Sequence, residues 1–156
     1  MNHTQIIEEF YKAFAAGDPE AMVNCYHPNI QFQDPAFGLL QGEDAKNMWR
    51  MLIERSKGEI KIKYSNLQVN EKTGTAQWEA DYVFRQTGRP VNNKISAHFE
   101  FSDGKIIKHS DEFNLWRWSR QALGMKGILL GWSGFMRRKI QEQTKGLLAS
   151  YKKRGK

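Results

Sequence analysis

Apolar residues in the first sixty positions recur at the spacing of helices that bury one face. The first such run comprises Ile6, Ile7, Phe10, Tyr11, Phe14 and Ala15. It predicts a helix that Thr4 caps and that ends at Gly17. Asp18 and Pro19 predict the start of a second helix, since a capping side chain precedes a proline at the first helical position.

Two further elements complete this N-terminal part. The second helix is expected to run to the dipeptide His27-Pro28. Apolar and polar residues then alternate over 30–33, which predicts a short strand. After Gly42, the run EDAKNMWRMLIER predicts a third helix, with its apolar face made by Met48, Trp49, Leu52 and Ile53.

From Glu59 onward the period of the apolar residues changes from 3.6 to 2. Alternating runs begin at Ile60, at Ala76, at Ile95 and at Lys105, and turn-forming residues occupy 70–74 and 102–104. Neighbouring strands joined by such turns pair antiparallel. The sequence therefore predicts an α+β fold, in which three helices cover one face of a curved antiparallel meander.

The last forty residues are predicted to add to this domain, which spans residues 1–115. Residues 116–136 are apolar but contain four glycines, which favours bent or broken helix. A basic helix follows, with a narrow apolar stripe of Ile140, Leu147, Leu148 and Tyr151. We expect residues 116–156 to form a helical extension that packs over the domain or across a dimer partner.

Composition narrows the function classes. The chain has 156 residues, 40% of them hydrophobic, and a single cysteine, so it has a core of its own and no internal disulfide. Its first residues lack the basic and apolar pattern of a signal peptide, and no uncharged apolar window reaches the length of a membrane span, so we expect a cytoplasmic protein.

The net charge of +7 is confined to the C-terminus. Residues 137–156 hold eight of the 24 lysines and arginines but one of the 17 acidic residues. The body of the chain is balanced, which argues against a specific nucleic-acid partner. A solvated basic helix is the plain interpretation, and a weak contact of this tail with an anionic surface stays open.

Candidate chemistry lies at the ends of two strands. Asp34 closes the short strand, precedes Pro35 and is flanked by Phe32 and Phe37, which suits either a buried base or a residue that braces a turn. In the last strand, His109, Asp111 and Phe113 share one face. His109 and Asp111 can be acid/base groups or a mutually satisfied polar pair.

Other reaction classes lack their motifs. The chain contains no GxGxxG, GxxxxGK[ST] or GxSxG, which excludes the usual nucleotide folds and serine hydrolases. No histidine or cysteine spacing supports a metal site, although Asp34, His109 and Asp111 include ligand types. We therefore expect neither a cofactor nor a metal.

Three segments resemble the nuclear transport factor 2-like superfamily, in its SnoaL-like and ketosteroid-isomerase-like branch. They are AAGDPEAMVNCYHPNIQFQDP, the Gln41-Gly42 pair and HFEFSDGKIIKHSDEF, and the resemblance covers roughly residues 4–115. It implies a cone-shaped fold with an interior pocket and a homodimer. It places Asp34 where the isomerases keep their general base, and His109, Asp111 and Phe113 on the pocket side.

The resemblance also implies which residues line the pocket and which activity is absent. The expected lining residues are Phe10, Phe14, Phe32, Phe37, Trp49, Trp78, Tyr82, Ala97, Phe99 and Phe113, several of which could equally be core. Phe10 and Ala97 stand where the steroid isomerase has its oxyanion-hole tyrosine and aspartate, so we expect no steroid isomerase activity.

The function predicted from these observations is cofactor-free acid/base chemistry on a small apolar carbonyl or epoxide compound. The reaction would be of isomerase, cyclase or hydrolase type, with Asp34, His109 and Asp111 as catalytic residues. The alternative is a non-catalytic module of the same fold, which binds a ligand or dimerises.

Overall fold

The computed structural model describes residues 2–125 and 134–154, which form helices around one sheet. The helices are α1 (His3–Ala15), α2 (Pro19–Asn24), α3 (Glu43–Ser56), α4 (Leu115–Leu123) and α5 (Gly134–Arg154). The strands are β1 (Tyr26–Asp34), β2 (Gly38–Gln41), β3 (Lys61–Val69), β4 (Thr73–Phe84), β5 (Arg89–Ser102) and β6 (Lys105–Glu112). This confirms the predicted α+β class.

The first two helices begin at side-chain caps. Asn2, and not the predicted Thr4, caps α1, because Asn2 and Gln5 each accept a hydrogen bond from the other's backbone amide, at 2.8 and 2.9 Å. Asp18 accepts from the amide of Ala21, as predicted for α2. That helix ends at Asn24, before the predicted His27-Pro28, because the chain already enters β1 at Tyr26.

The six strands lie in the order β2-β1-β6-β5-β4-β3. Strands β3 to β6 form the predicted antiparallel meander. The sequence prediction missed β2 and made β1 too short. Strand β1 pairs with β6 in parallel and with β2 antiparallel, so the sheet is mixed rather than wholly antiparallel.

The core lies between the inner face of this sheet and the helices. Its largest side chains are aromatic, including Phe10 and Tyr11 from α1, Phe32 from β1 and Phe99 from β5. The outer face is polar. His98 is exposed on that outer face, as its parity in the strand predicts.

The C-terminal helices both pack on the domain. Helix α4 is held against β5, where the Arg117 guanidinium donates to the Asn92 carbonyl at 2.8 Å. In α5, Leu148 is buried in the main core, and Lys152 and Arg154 form ion pairs with Asp44 and Glu54 of α3.

Helices α4 and α5 contact the domain, and two apolar residues of the C-terminal segment are exposed. Trp116 is 37% and Met125 is 76% exposed, contrary to the expectation that they are buried. The part of the prediction that concerns residues 126–133 lies outside the described residues. Among the described helices, none is long and apolar enough to cross a membrane.

Candidate functional site

The parallel pairing of β1 and β6 brings Asp34 and Asp111 to the same place. Phe32 is the register partner of His109, and Gln33 is that of Ser110. Because side chains alternate between the faces of a sheet, Asp34 and Asp111 follow next on the inner face. Ala97 on β5 is the register partner of Asp111 on its other side.

Asp34 builds the turn that leads to β2. Its Oδ1 accepts hydrogen bonds from the amides of Ala36 at 2.9 Å and Phe37 at 2.6 Å. Both bonds end on the same oxygen, so Asp34 braces the turn as one of the two sequence hypotheses expected. The other hypothesis, a role in a pocket, is compatible with this geometry.

The same turn is held from outside by α5. Gln141 donates from Nε2 to the Pro35 carbonyl at 3.1 Å, and Thr144 donates from Oγ1 to the Ala36 carbonyl at 2.7 Å. The turn that carries Asp34 is therefore fixed by its own carboxylate on one side and by a helix on the other.

A cleft of about 270 Å³ opens beside the two aspartates. Residues 33–35 and Gly38 line it from β1 and its turn, residues 110–112 line it from β6, and Arg137 lines it from α5. A larger depression of about 520 Å³ lies on the outer face of the sheet, where His98 and Lys108 are part of its wall. Asp34 and Asp111 line the smaller cleft, which is therefore the candidate site.

The pKa of Asp34 is raised from 3.8 to about 7. Burial is the largest cause, because it disfavours the charged form, and the negative charge of Asp111 acts in the same direction. The amide hydrogen bonds from Phe37 and Ala36 lower the pKa and offset part of this rise. Near pH 7, Asp34 is therefore present both as an acid and as a carboxylate.

His109 is part of a buried chain of hydrogen bonds that ends on Asp111. Trp49 donates from Nε1 to the Tyr26 hydroxyl at 2.8 Å, and that hydroxyl lies 2.7 Å from His109 Nδ1. His109 Nε2 lies 2.9 Å from Asp111 Oδ1. With a neutral imidazole, Tyr26 donates to Nδ1 and Nε2–H donates to the carboxylate, because an indole N–H only donates and a carboxylate only accepts.

Asp111 receives a second hydrogen bond on the same oxygen. Trp78 donates from Nε1 to Asp111 Oδ1 at 3.3 Å. These two N–H donors orient the carboxyl group of Asp111 from the interior of the protein, while Asp111 itself lines the cleft.

His109 lies behind Asp111, within the core, rather than at the cleft. It is 1% exposed, and the ring centroids of Phe99, Phe32 and Phe10 lie 4.5, 5.1 and 5.4 Å from its own. Direct proton donation to a substrate, one of the roles predicted for His109, finds no support in this position. The imidazole is placed to orient Asp111.

The expected pocket-lining residues mostly form the packed core. Phe10, Phe14, Phe32, Phe37, Trp49, Trp78, Ala97 and Phe99 are buried together in it, and Tyr82 and Phe113 are half-buried against it. Tyr82 accepts a hydrogen bond from Trp118 Nε1 at 2.7 Å, at the end of the sheet that α4 covers. The cleft beside Asp34 is lined instead by residues of β1 and its turn, of β6 and of α5.

Three residues of the site's surroundings were missed in the sequence. Tyr26 was assigned to the end of a helix, and Arg137 was counted only as part of a basic tail. Tyr11 is fully buried, its hydroxyl has no hydrogen-bond partner among the described residues, and burial raises its pKa well above 10, with the charge of Asp111 adding to the effect. The helical spacing that identified Tyr11 as core carries no signal for its hydroxyl.

The described residues contain no group of three or more His, Cys, Asp or Glu side chains arranged to hold a metal ion. The chemistry that the cleft presents is that of two neighbouring carboxyl groups, one of them with a pKa near neutrality, and one cation at the wall.

A curved mixed sheet with helices on its inner face is the nuclear transport factor 2-like fold. Within that class, the profile of the SnoaL-like domain matches residues 7–109, and the chain belongs to this family. No curated protein shows a significant sequence match to the chain.

Solved structures share the fold at low sequence identity. A protein described as a putative polyketide cyclase from Xanthomonas campestris is 18% identical, with a TM-score of 0.62 over 76% of this chain and 94% of that one. An epoxide hydrolase from M. tuberculosis, described as LEH-like, is 15% identical, with a TM-score of 0.59 over 80% and 90%. A nuclear transport factor 2-like protein from Burkholderia thailandensis is 21% identical, with a TM-score of 0.63 over 72% and 91%.

Proposed function

We propose that the chain is an acid/base enzyme that opens small epoxides or enolises small carbonyl compounds in the cleft between Asp34 and Asp111. The observation that carries this proposal is the pair of carboxyl groups in one cleft, with the pKa of Asp34 raised to about 7. A pair of such groups supplies an acid and a base at the same pH. Similar folds described as cyclase, epoxide hydrolase and isomerase support the reaction classes.

For an epoxide, Asp34 is the general acid. Its carboxyl proton passes to the epoxide oxygen as a C–O bond breaks, and the electron pair of that bond stays on the oxygen. A water molecule, or a hydroxyl of the same substrate, forms the new C–O bond and gives its proton to Asp111. Water gives hydrolysis and an internal hydroxyl gives cyclisation; exchange with solvent returns both carboxyl groups to their starting forms.

For a carbonyl compound, the same two groups have corresponding roles. Asp111 removes the proton from the carbon next to the carbonyl, and Asp34 protonates the carbonyl oxygen to give the enol. In both reactions His109, Tyr26 and Trp78 hold the carboxyl group of Asp111 in place through the hydrogen bonds described above. His109 is thus a positioning residue in this proposal.

The proposal is tested by measuring styrene oxide opening and the α-proton exchange of acetophenone in D₂O. We expect Asp34→Asn and Asp111→Asn to lose about 10²- to 10⁴-fold in rate, the range for a general acid or base. Because Asp34 must carry its proton, the wild-type rate should fall as pH rises through about 7.

Asp103→Asn is the matched control, because Asp103 lies at an exposed turn with a positive φ of 54° that asparagine readily adopts. It should keep the wild-type rate. Full activity in Asp34→Asn would contradict the proposal, as would a rate that rises with pH above 7.

A second candidate function is ligand binding without turnover. It is favoured by the position of His109, whose two ring nitrogens are both within hydrogen-bond distance of partners inside the core. Binding of the same probes without conversion, detected by nuclear magnetic resonance, would support this candidate.

A further inference from the structure

We propose that Arg137 selects the substrate of the Asp34–Asp111 cleft by binding a carboxylate that the substrate carries beside its reacting group. The inference rests on the proposed function and names its substrate class, the small epoxy and keto acids. It assigns a role to the C-terminal extension, which lies beyond residues 7–109 that match the SnoaL-like profile.

The position of Arg137 follows from the way α5 is docked. Residues 137, 141, 144 and 148 are spaced by four, three and four positions and so share one face of the helix. On that face, Gln141 and Thr144 bind the carbonyls of the Asp34 turn, and Leu148 is buried in the core. Arg137 is the next residue on the same face, and it lines the cleft.

The neighbouring cations do not have this position. Arg137, Arg138 and Lys139 are all exposed, but Arg137 is the member of this basic run that lines the cleft. Successive helical residues point about 100° apart, so the docking of α5 turns one of the three toward the site and the others away from it.

The described part of the chain leaves the charge of Arg137 without a partner. Three acidic residues line the same cleft, namely Asp34, Asp111 and Glu112, yet none of the ion pairs or hydrogen bonds among the described residues involves the Arg137 guanidinium. The carboxylate of Asp34 accepts instead from the backbone amides of Ala36 and Phe37, and that of Asp111 from His109 and Trp78.

A guanidinium that is charged at every working pH and offers five N–H donors matches a carboxylate with two parallel hydrogen bonds. A neutral substrate would leave these donors to water. The cleft volume of about 270 Å³ is below the range of drug-sized pockets, which favours small acids. A small acid would be held by Arg137 at one end and meet Asp34 and Asp111 at the other.

The test compares glycidate with glycidamide. Both contain the same epoxide, but glycidate carries a carboxylate where glycidamide carries a neutral amide. We expect the wild-type protein to favour glycidate about 10- to 100-fold in kcat/KM, the range for a hydrogen-bonded charged group. Arg137→Gln should lose most of this preference, mainly because the KM for glycidate rises. Arg138→Gln, the matched control, should keep the wild-type preference.

Failure of this inference differs from failure of the proposed function. If both probes are opened equally well by the wild-type protein and by Arg137→Gln, the enzyme stands and the role of Arg137 is wrong. If neither is opened, binding of cyclopropanecarboxylate and cyclopropanecarboxamide decides. Selective binding of the carboxylate that Arg137→Gln abolishes and Arg138→Gln retains supports the inference; no binding of the carboxylate by the wild-type protein, or equal binding by Arg137→Gln, overturns it.

Discussion

Asp34 both braces a turn and has a raised pKa. Its Oδ1 takes both amide hydrogen bonds of the turn, so the turn is built without Oδ2. Amide donors alone would favour the charged form, but burial and the neighbouring Asp111 outweigh them and raise the pKa to about 7. The charged form of Asp34 is therefore a cost to the folded protein at neutral pH.

This cost makes a prediction about stability. The pKa of Asp34 is 3.8 when unfolded and about 7 when folded, so the native state binds the extra proton between these values. The contribution of Asp34 to the free energy of unfolding is then fully present below about pH 4 and is lost as pH rises through 7. At 1.36 kcal/mol per pKa unit, the loss is at most about 4 kcal/mol.

Asp34→Asn should remove this loss, because an amide oxygen can still accept from Ala36 and Phe37 without a charge. Urea unfolding of both proteins at pH 4 and pH 8 measures the difference. We expect the variant to gain free energy of unfolding relative to the wild type on going from pH 4 to pH 8. A variant that differs from the wild type by the same amount at both values would contradict the raised pKa of Asp34 in the folded protein.

Parity along β6 was enough to predict that His109 and Asp111 share a face, and flanking residues were enough to single out Asp34. The sequence could not predict which of His109 and Asp111 lies at the cleft and which lies behind it. Whether the imidazole or the carboxylate meets the cleft depends on the ends of the strands and on Tyr26, which the sequence assigned to another element. An alternating pattern predicts which face of the sheet a side chain is on, but not whether it lies in the core or at a cleft.

At the scale of elements, the pairing of β1 with β6 decides the site. It joins residues far apart in the sequence: the partners Phe32 and His109 are separated by 109 − 32 = 77 positions. Hairpins can be predicted because their turns are local, whereas a parallel pair has no turn that marks it. The meander was thus predictable from local patterns, whereas the grouping of Asp34 with Asp111 was predicted only through the family resemblance, and the strand pairing that joins them came from the fold.

Helix α5 is the second element that the site needs, and two adjacent leucines test its docking. Leu148 is 4% exposed within the main core and Leu147 is 38% exposed. We expect Leu148→Ala to lower the free energy of unfolding by about 2–4 kcal/mol, since it removes buried methyl groups and leaves a cavity. Leu147→Ala should stay within about 0.5 kcal/mol of the wild type. Equal effects in thermal or urea unfolding would show that α5 is not held by this face.

At the scale of the whole molecule, the basic residues of the C-terminus occupy two kinds of position. Lys152 and Arg154 are paired with acids of α3 and help to dock the helix. Arg137 lies at the cleft, on the contact face of the same helix. The predicted contact with an anionic surface and the homodimer both stay predictions, and the second would use the polar outer face of the sheet.

Removal of residues 117–156 tests whether the domain can exist without its extension. The deletion takes away Ala122, Ile140 and Leu148, which are buried now, and uncovers the apolar residues beneath them. It also frees the carbonyls of Pro35 and Ala36 from Gln141 and Thr144. We therefore expect the truncated chain to bind a hydrophobic dye, to self-associate in light scattering and to unfold at a lower temperature.

A chain that ends after Arg154 is the control for this deletion, because it keeps every contact of α5 described above, and it should behave as the full chain does. The outcome also shows whether α5 is needed for the stability of the domain. If the truncated protein is as soluble and as stable as the full chain, the SnoaL-like domain does not need its extension, and α5 is retained for Arg137 and the substrate alone. If it aggregates as expected, the helix that stabilises the domain is also the one that places a cation at the cleft, so stability and specificity depend on the same docking face.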